Sequence, residues 1–160
     1  MNRFAVFALR AVVIVIGLGA LGAQIRAVPS IASALTEEAK RPDLAVGYAI
    51  AGIAVIACVQ LVLIAVWMLL SMVSREAIFT DRAFRWVDVI IGATLAATIL
   101  TFGLGVHAYY YLMPVLDAPG LILMSLVGTL FGVGIALLVI VMRGLLRSAT
   151  TLQSELSEVV

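Results

Sequence analysis

The sequence predicts an all-α integral membrane protein, a four-helix bundle that crosses the bilayer four times. Hydrophobic residues make up 64% of the 160-residue chain and charged residues 12%, whereas a soluble domain is about half apolar and about a quarter charged. Four apolar stretches each reach the roughly twenty residues that a helix needs to cross the hydrocarbon core. These stretches lack the in–out alternation of barrel strands, which leaves the helix as the structure that satisfies its own backbone in lipid. The length gives room for one domain, divided into a transmembrane part over 1–142 and a helical cytoplasmic tail over 143–160.

The first span is expected over about 4–25. Arg3 and Arg10 resemble a basic n-region and Gly22-Ala23 a weak cleavage site, but the span is read as retained. Arg10 sits low in it, where its long stem can lift the charge to the headgroups. The segment from Arg26 to Asp43 follows, opened by Pro29-Ser30 and closed by Pro42. Within it Ile31, Ala34, Leu35 and Ala39 recur at helical spacing, which predicts a short amphipathic extracytoplasmic helix on the membrane or over the bundle.

The second span is expected over about 44–73 and the third over about 83–112. Both exceed the core thickness and should tilt or project into the headgroups. A tight hairpin, 74–81, joins them, and Thr80 or Asp81 can cap the free N–H groups of the third helix. Pro114 and Pro119-Gly120 punctuate the last connection. The fourth span is expected over about 121–142. Beyond it Leu145, Ala149, Leu152, Leu156 and Val159 step by four and three, a heptad seam that continues the Leu138 and Met142 stripe out of the membrane.

Basic residues favour the cytoplasmic side. Arg3, Arg10, Arg75, Arg82, Arg85, Arg143 and Arg147 fall on one side of this topology, against Arg26, Lys40 and Arg41 on the other. Both termini are therefore expected in the cytoplasm, with the protein in the cell membrane. Trp67, Trp86 and Tyr109-Tyr110-Tyr111 lie near span ends, as an interfacial aromatic belt should.

Helices in lipid associate through close packing rather than hydrophobicity. Gly128 and Gly132 form a G-x-x-x-G on the fourth helix, extended by Ala136. It is expected to pack inside the monomer, with a homo-oligomer seam as the alternative. On the third helix Arg85, Asp88, Gly92, Ala96, Ile99 and Gly103 fall within an arc of about 80° at about 100° per residue, and this face is expected to point inward. Thr94, Thr98 and Thr101 share another face, where each hydroxyl can return to its own backbone.

Four polar residues stand out as candidate functional or structural groups. Asp88 is a charge near membrane depth and needs a partner or a cavity. Arg85, one turn earlier, can pair with it on one face, and the expected role is a salt bridge or hydrogen bond that pins the third helix to a neighbour, with a proton or ion relay as the alternative. Gln60 lies mid-span on the second helix and should bond to another helix. His107 is the single histidine and is expected at the outer interface beside Tyr109. No cluster has metal-ligand spacing, no nucleophile, histidine and acid group together, and no phosphate-binding glycine loop appears. No cofactor, no metal and no enzyme activity are therefore expected. A net charge of +1 gives no reason to expect direct nucleic-acid binding.

The segment from Glu76 to Val87, with Phe79-Thr80 at the turn and Arg82 and Arg85 opening the next helix, resembles a bacterial family of four-helix membrane proteins, domain of unknown function 2975. The basic turn into the tail, Arg143 to Arg147, also fits that pattern. The resemblance implies a small polytopic membrane protein with no established activity, and a pairing with a cytoplasmic helix-turn-helix regulator. The expected role is a regulatory, partner-binding one, with Arg75, Arg82, Leu152 and Leu156 as candidate contacts. The alternative is a small-solute or ion transporter built on the polar residues of the second and third helices.

Overall fold

The computed structural model describes residues 3–37, 42–73, 81–116 and 119–158, with side chains over 6–37, 42–72, 83–114, 119–149 and at 151. These residues form α1 (Arg3–Glu37), α2 (Pro42–Val73), α3 (Asp81–Tyr111), the short α4 (Met113–Leu116) and α5 (Pro119–Glu158). The four long helices are each apolar and long enough to cross a membrane, which makes this a multi-pass membrane protein. Among the described residues there is no strand. Pro42 and Pro119 each stand at a first helical position, where the missing N–H is not needed and the fixed φ suits the helix. Asp43 in the first turn of α2 complements that helix's positive end.

The helix of the first span runs further than expected. Residues 26–37 are not a separate amphipathic element but the continuation of α1, which runs through Pro29 without a break. At 35 residues it is about 52 Å long, against about 30 Å of hydrocarbon. The Ser30, Ser33 and Thr36 hydroxyls donate to Ala27, Ser30 and Ala32 carbonyls at 2.8, 3.0 and 2.9 Å. Their polar groups are thus met within the helix, and no departure into a loop is needed. Leu35, only 2% exposed, joins Ala45, Ala108 and Leu112 in a buried cluster with Tyr48 against it. That cluster binds the end of α1 to the start of α2 and the end of α3.

The helices pack as a row. The interfaces are α1 on α2, α2 on α3 and α3 on α5, with the short α4 against α3. This is an open bundle in which α3 has two long neighbours and α1 has one. Its antiparallel register is legible in the contacts. Between α1 and α2, Arg10 meets Trp67, Gly17 faces Leu63, Gln24 meets Gln60 and Val28 faces Gly52, so one number rises as the other falls. Between α3 and α5 the sequence is Asp88 with Arg143, Thr98 with Gly132, Thr101 with Gly128 and Gly105 with Ser125.

The inward face of α3 is the reverse of the expected one. Ala83, Ile90, Thr94, Thr98, Gly105 and Ala108 are buried, while Arg85, Asp88, Gly92, Ala96, Ile99 and Gly103 are exposed. At about 100° per residue the two stripes lie on opposite sides of the helix. The reason is shape complementarity to α5. A Cβ on Gly132 would collide with the Thr98 hydroxyl, and one on Gly128 would come within 3.3 Å of Thr101 Cγ2. A Cβ on Gly105 would strike the Ser125 hydroxyl. Each glycine is the hole for a hydroxyl-bearing knob, and the G-x-x-x-G is spent inside the chain as expected.

Candidate functional site

The dry α3–α5 seam can hold hydroxyls because the helices satisfy them. Thr98 donates to the Thr94 carbonyl at 2.7 Å and Thr101 to that of Ala97 at 2.8 Å. On α5, Ser125 donates to Ile122 at 2.9 Å and Thr129 to Ser125 at 2.7 Å. Each of these hydroxyls spends its proton within its own helix, and Thr101 and Ser125 also line a cavity of about 300 Å³ shared with Tyr48.

Asp88 is paired with a neighbouring helix, as expected, and not with Arg85 of its own helix. The Arg143 guanidinium on α5 reaches both carboxylate oxygens at 2.9 and 3.0 Å. Within a helix the acid-before-base order is the favourable one, and Arg85 precedes Asp88. The α5 backbone instead brings Arg143 alongside. Both side chains are about half exposed, so screening keeps the pair to about 0–1 kcal/mol. Its contribution is geometric: it ties the root of the α5 tail to the start of α3. Arg85 is exposed one turn below.

Gln60 meets the expectation of an interhelical bond. Its amide donates to the Gln24 side-chain oxygen at 3.0 Å, half-buried between α2 and α1. His107 lies at the other end of α3. Its Nδ1 is 2.8 Å from the Tyr48 hydroxyl, and its ring stacks on Tyr111 with centroids 4.4 Å apart. Tyr111 thus takes the place expected of Tyr109, one turn along the same face; Tyr109 packs edge-on against Tyr110. A cleft of about 380 Å³ opens beside this group, lined by Asp43, Tyr48 and His107 above Gly47, Ala51 and Gly103.

These polar groups are not brought together. Asp88 and His107 are nineteen residues apart on α3, about 28 Å along its axis, and Gln60 is engaged with α1. Among the described residues no three His, Cys, Asp or Glu side chains converge to hold a metal ion. Arg75 lies outside the described residues, as do the side chains of Arg82, Leu152 and Leu156; Leu152 and Leu156 fall on the helical backbone of α5. Three partners were missed from sequence: Arg143, Gln24 and Tyr48. Gln24 carried a signal, since it and Gln60 are the glutamines inside the spans. Tyr48 carried none beyond its place near a span end.

A family model described as "Protein of unknown function (DUF2975)" matches residues 36–160. No curated protein and no solved structure matches the chain. The matched residues take in α2 through α5 and only the last two residues of α1.

Proposed function

The chain belongs to the DUF2975 family, and on that premise we propose that it is a non-enzymatic regulatory membrane protein that holds a soluble partner at the membrane surface. The partner class is a cytoplasmic helix-turn-helix regulator. The contact surface is the basic hairpin around Arg75 and Arg82 together with the α5 tail carrying Leu152 and Leu156. The termini and the hairpin are taken to be cytoplasmic, in the cell membrane, on the count of basic residues.

One observation carries the reading. The Asp88–Arg143 pair couples the root of the tail to the helix that the hairpin opens. α5 is 40 residues long, about 60 Å, roughly twice the hydrocarbon thickness. That length lets its last turns reach beyond the lipid, where a heptad-spaced stripe offers a surface to a protein partner. A transport reading requires polar groups converging on one path, and Asp88, Gln60 and His107 each have a separate partner.

The test is co-purification of the full chain with a helix-turn-helix regulator encoded beside it, compared with a chain lacking 152–160. Loss of the regulator from the shortened protein, with a matching change in the regulator's transcripts, is the expected result. A shortened chain that retains the regulator and leaves every transcript unchanged would overturn the reading. Asp88→Asn is expected to weaken retention several-fold without abolishing it, because the tail persists but its root is freed.

A further inference from the structure

Arg10 of α1 has no anionic partner among the described residues. It lies one turn inside the apolar part of that helix, half-buried. Its guanidinium carbon sits 5.5 Å from the centre of the Trp67 ring on α2, within the distance at which a cation is held by an aromatic face. Its Nε is buried and makes no hydrogen bond, and no carboxylate among the described residues pairs with it. A charge at this depth is costly unless it is paired, and with Nε enclosed it is the Nη end of the guanidinium that an anion from outside the chain would meet.

Directly beyond this residue a groove runs between α1 and α2. It has a volume of about 420 Å³ and is lined by Val13, Gly17 and Leu21 on one side and by Gln60, Ile64 and Trp67 on the other. That size falls within the range of small-molecule sites, about 300–1,000 Å³. The groove extends about 12 Å along α1 from Val13 to Leu21. Gly17 keeps it open, since a Cβ there would rest 3.9 Å from Leu63 Cδ1 and a longer side chain would intrude. The Gln60 amide in the lining already donates to Gln24. Ile14, Leu18, Leu21 and Ile64 are each about half exposed or more, so the groove is open to the bilayer.

A fixed cation at one end of an apolar channel that faces lipid sets the chemistry of its occupant. We propose that the α1–α2 groove binds an anionic phospholipid, with the head-group phosphate on Arg10 and an acyl chain laid from Trp67 toward Leu21. The guanidinium fork suits phosphate, and the neighbouring ring orients it. A zwitterionic lipid carries the same phosphate but also an ammonium group that meets the same cation unfavourably, so the site discriminates between head groups. The α1 wall of the groove lies outside the residues matched to the family.

The experiment uses the full chain in phosphatidylcholine vesicles, with Trp86→Phe so that Trp67 alone reports. Quenching by a brominated phosphatidylglycerol is compared with quenching by a brominated phosphatidylcholine. The anionic lipid is expected to associate about fivefold more strongly, the weight of one basic residue at an anionic surface. Arg10→Gln should bring the ratio to about one and Arg10→Lys should keep most of it. Gly17→Leu should reduce association of both lipids by filling the groove. Equal quenching by the two lipids in the chain with Arg10 intact overturns the proposal, and that comparison does not depend on either Arg10 variant folding. Displacement of the lipid by soluble glycerol phosphate would also overturn it, because the site would then belong to a water-borne anion.

Discussion

α3 and α1 are both long apolar helices of the same chain, yet they are held in different ways. α3 is gripped from two sides and buries a stripe of small and hydroxyl-bearing residues, among them Thr94 and Thr98. α1 packs along its length on α2, meets α3 at the Leu35 cluster, and leaves Phe7, Val15, Leu18 and Ile25 largely exposed. The more hydrophobic surface is the less packed one. In water that would be a contradiction, but lipid is as apolar as leucine and rewards only close fit and satisfied polar groups. α3 meets that condition along its length. α1 meets it at points: Arg10 on Trp67, Gln24 on Gln60, and Leu35 in the cluster with Ala45, Ala108 and Leu112.

The sharpest way to break this contrast is to fill a hole on the packed side. Gly132→Leu places a branched side chain where the Thr98 hydroxyl, Cβ and Cγ2 already stand. Thr98 cannot turn away freely, because its hydroxyl is bonded to the Thr94 carbonyl, so α5 must move off α3. A loss of about 3 kcal/mol is expected, at the upper end for overpacking. Unfolding in mixed micelles with a denaturing detergent measures it, and a loss below about 0.5 kcal/mol would mean that the seam is not close-packed. The second-largest effect belongs to the most enclosed side chain described on α1, Leu35. Leu35→Ala should cost about 2 kcal/mol, the low end for a buried leucine, and should raise hydrogen exchange over 30–37 and 44–48 while leaving the α3–α5 seam protected.

Much of this architecture was legible in the residues. The second, third and fourth spans were expected to open at 44, 83 and 121, and α2, α3 and α5 open at Pro42, Asp81 and Pro119. Length, hydropathy and proline placement decide such boundaries locally. The helix of the first span runs on past 25 to Glu37, where Arg26 and Pro29 had both read as an end to it. What reversed that reading is not local. Leu35 has a pocket waiting on α2 and α3, and the helix extends to fill it.

The inward face of α3 was misassigned for a related reason. Gly92, Ala96 and Gly103 are as small as a packing face requires, and so is the threonine stripe opposite. Only the match of Thr98 to Gly132 and Thr101 to Gly128 selects between them, and that is a property of two helices together. The polar residues were easier to nominate than to pair. Asp88 had to have a partner, but whether Arg85 or Arg143 supplied it depended on the α3–α5 register, which no single segment contains.

A smaller effect tests whether α1 is held by its polar tie. Gln60→Leu removes the bond to Gln24 and should cost about 0.6 kcal/mol, and no more than about 1.7, the measured span for such bonds in membranes. Part of that loss is the amide left behind on Gln24. The double replacement Gln24→Leu with Gln60→Leu should therefore be less damaging than the two single losses added together. Strict additivity would mean that the two side chains do not interact.

The smallest effect sharpens the comparison from its other side. Gly19 and Gly22 of α1 are exposed, and a Cβ on either would meet nothing within 4 Å. They have the composition of a packing motif without its partner. Gly19→Ala and Gly22→Ala are each expected to change stability by less than about 0.5 kcal/mol, in the same micelle assay in which Gly132→Leu is severe. If instead either alanine destabilises α1 by 1 kcal/mol or more, the outer face of that helix is covered by something the isolated chain lacks, and a second copy would be the first occupant to seek by crosslinking at Gly19. If both are silent, small residues in a membrane helix count as packing only where a knob stands opposite, and α1 is an edge whose occupants are lipids.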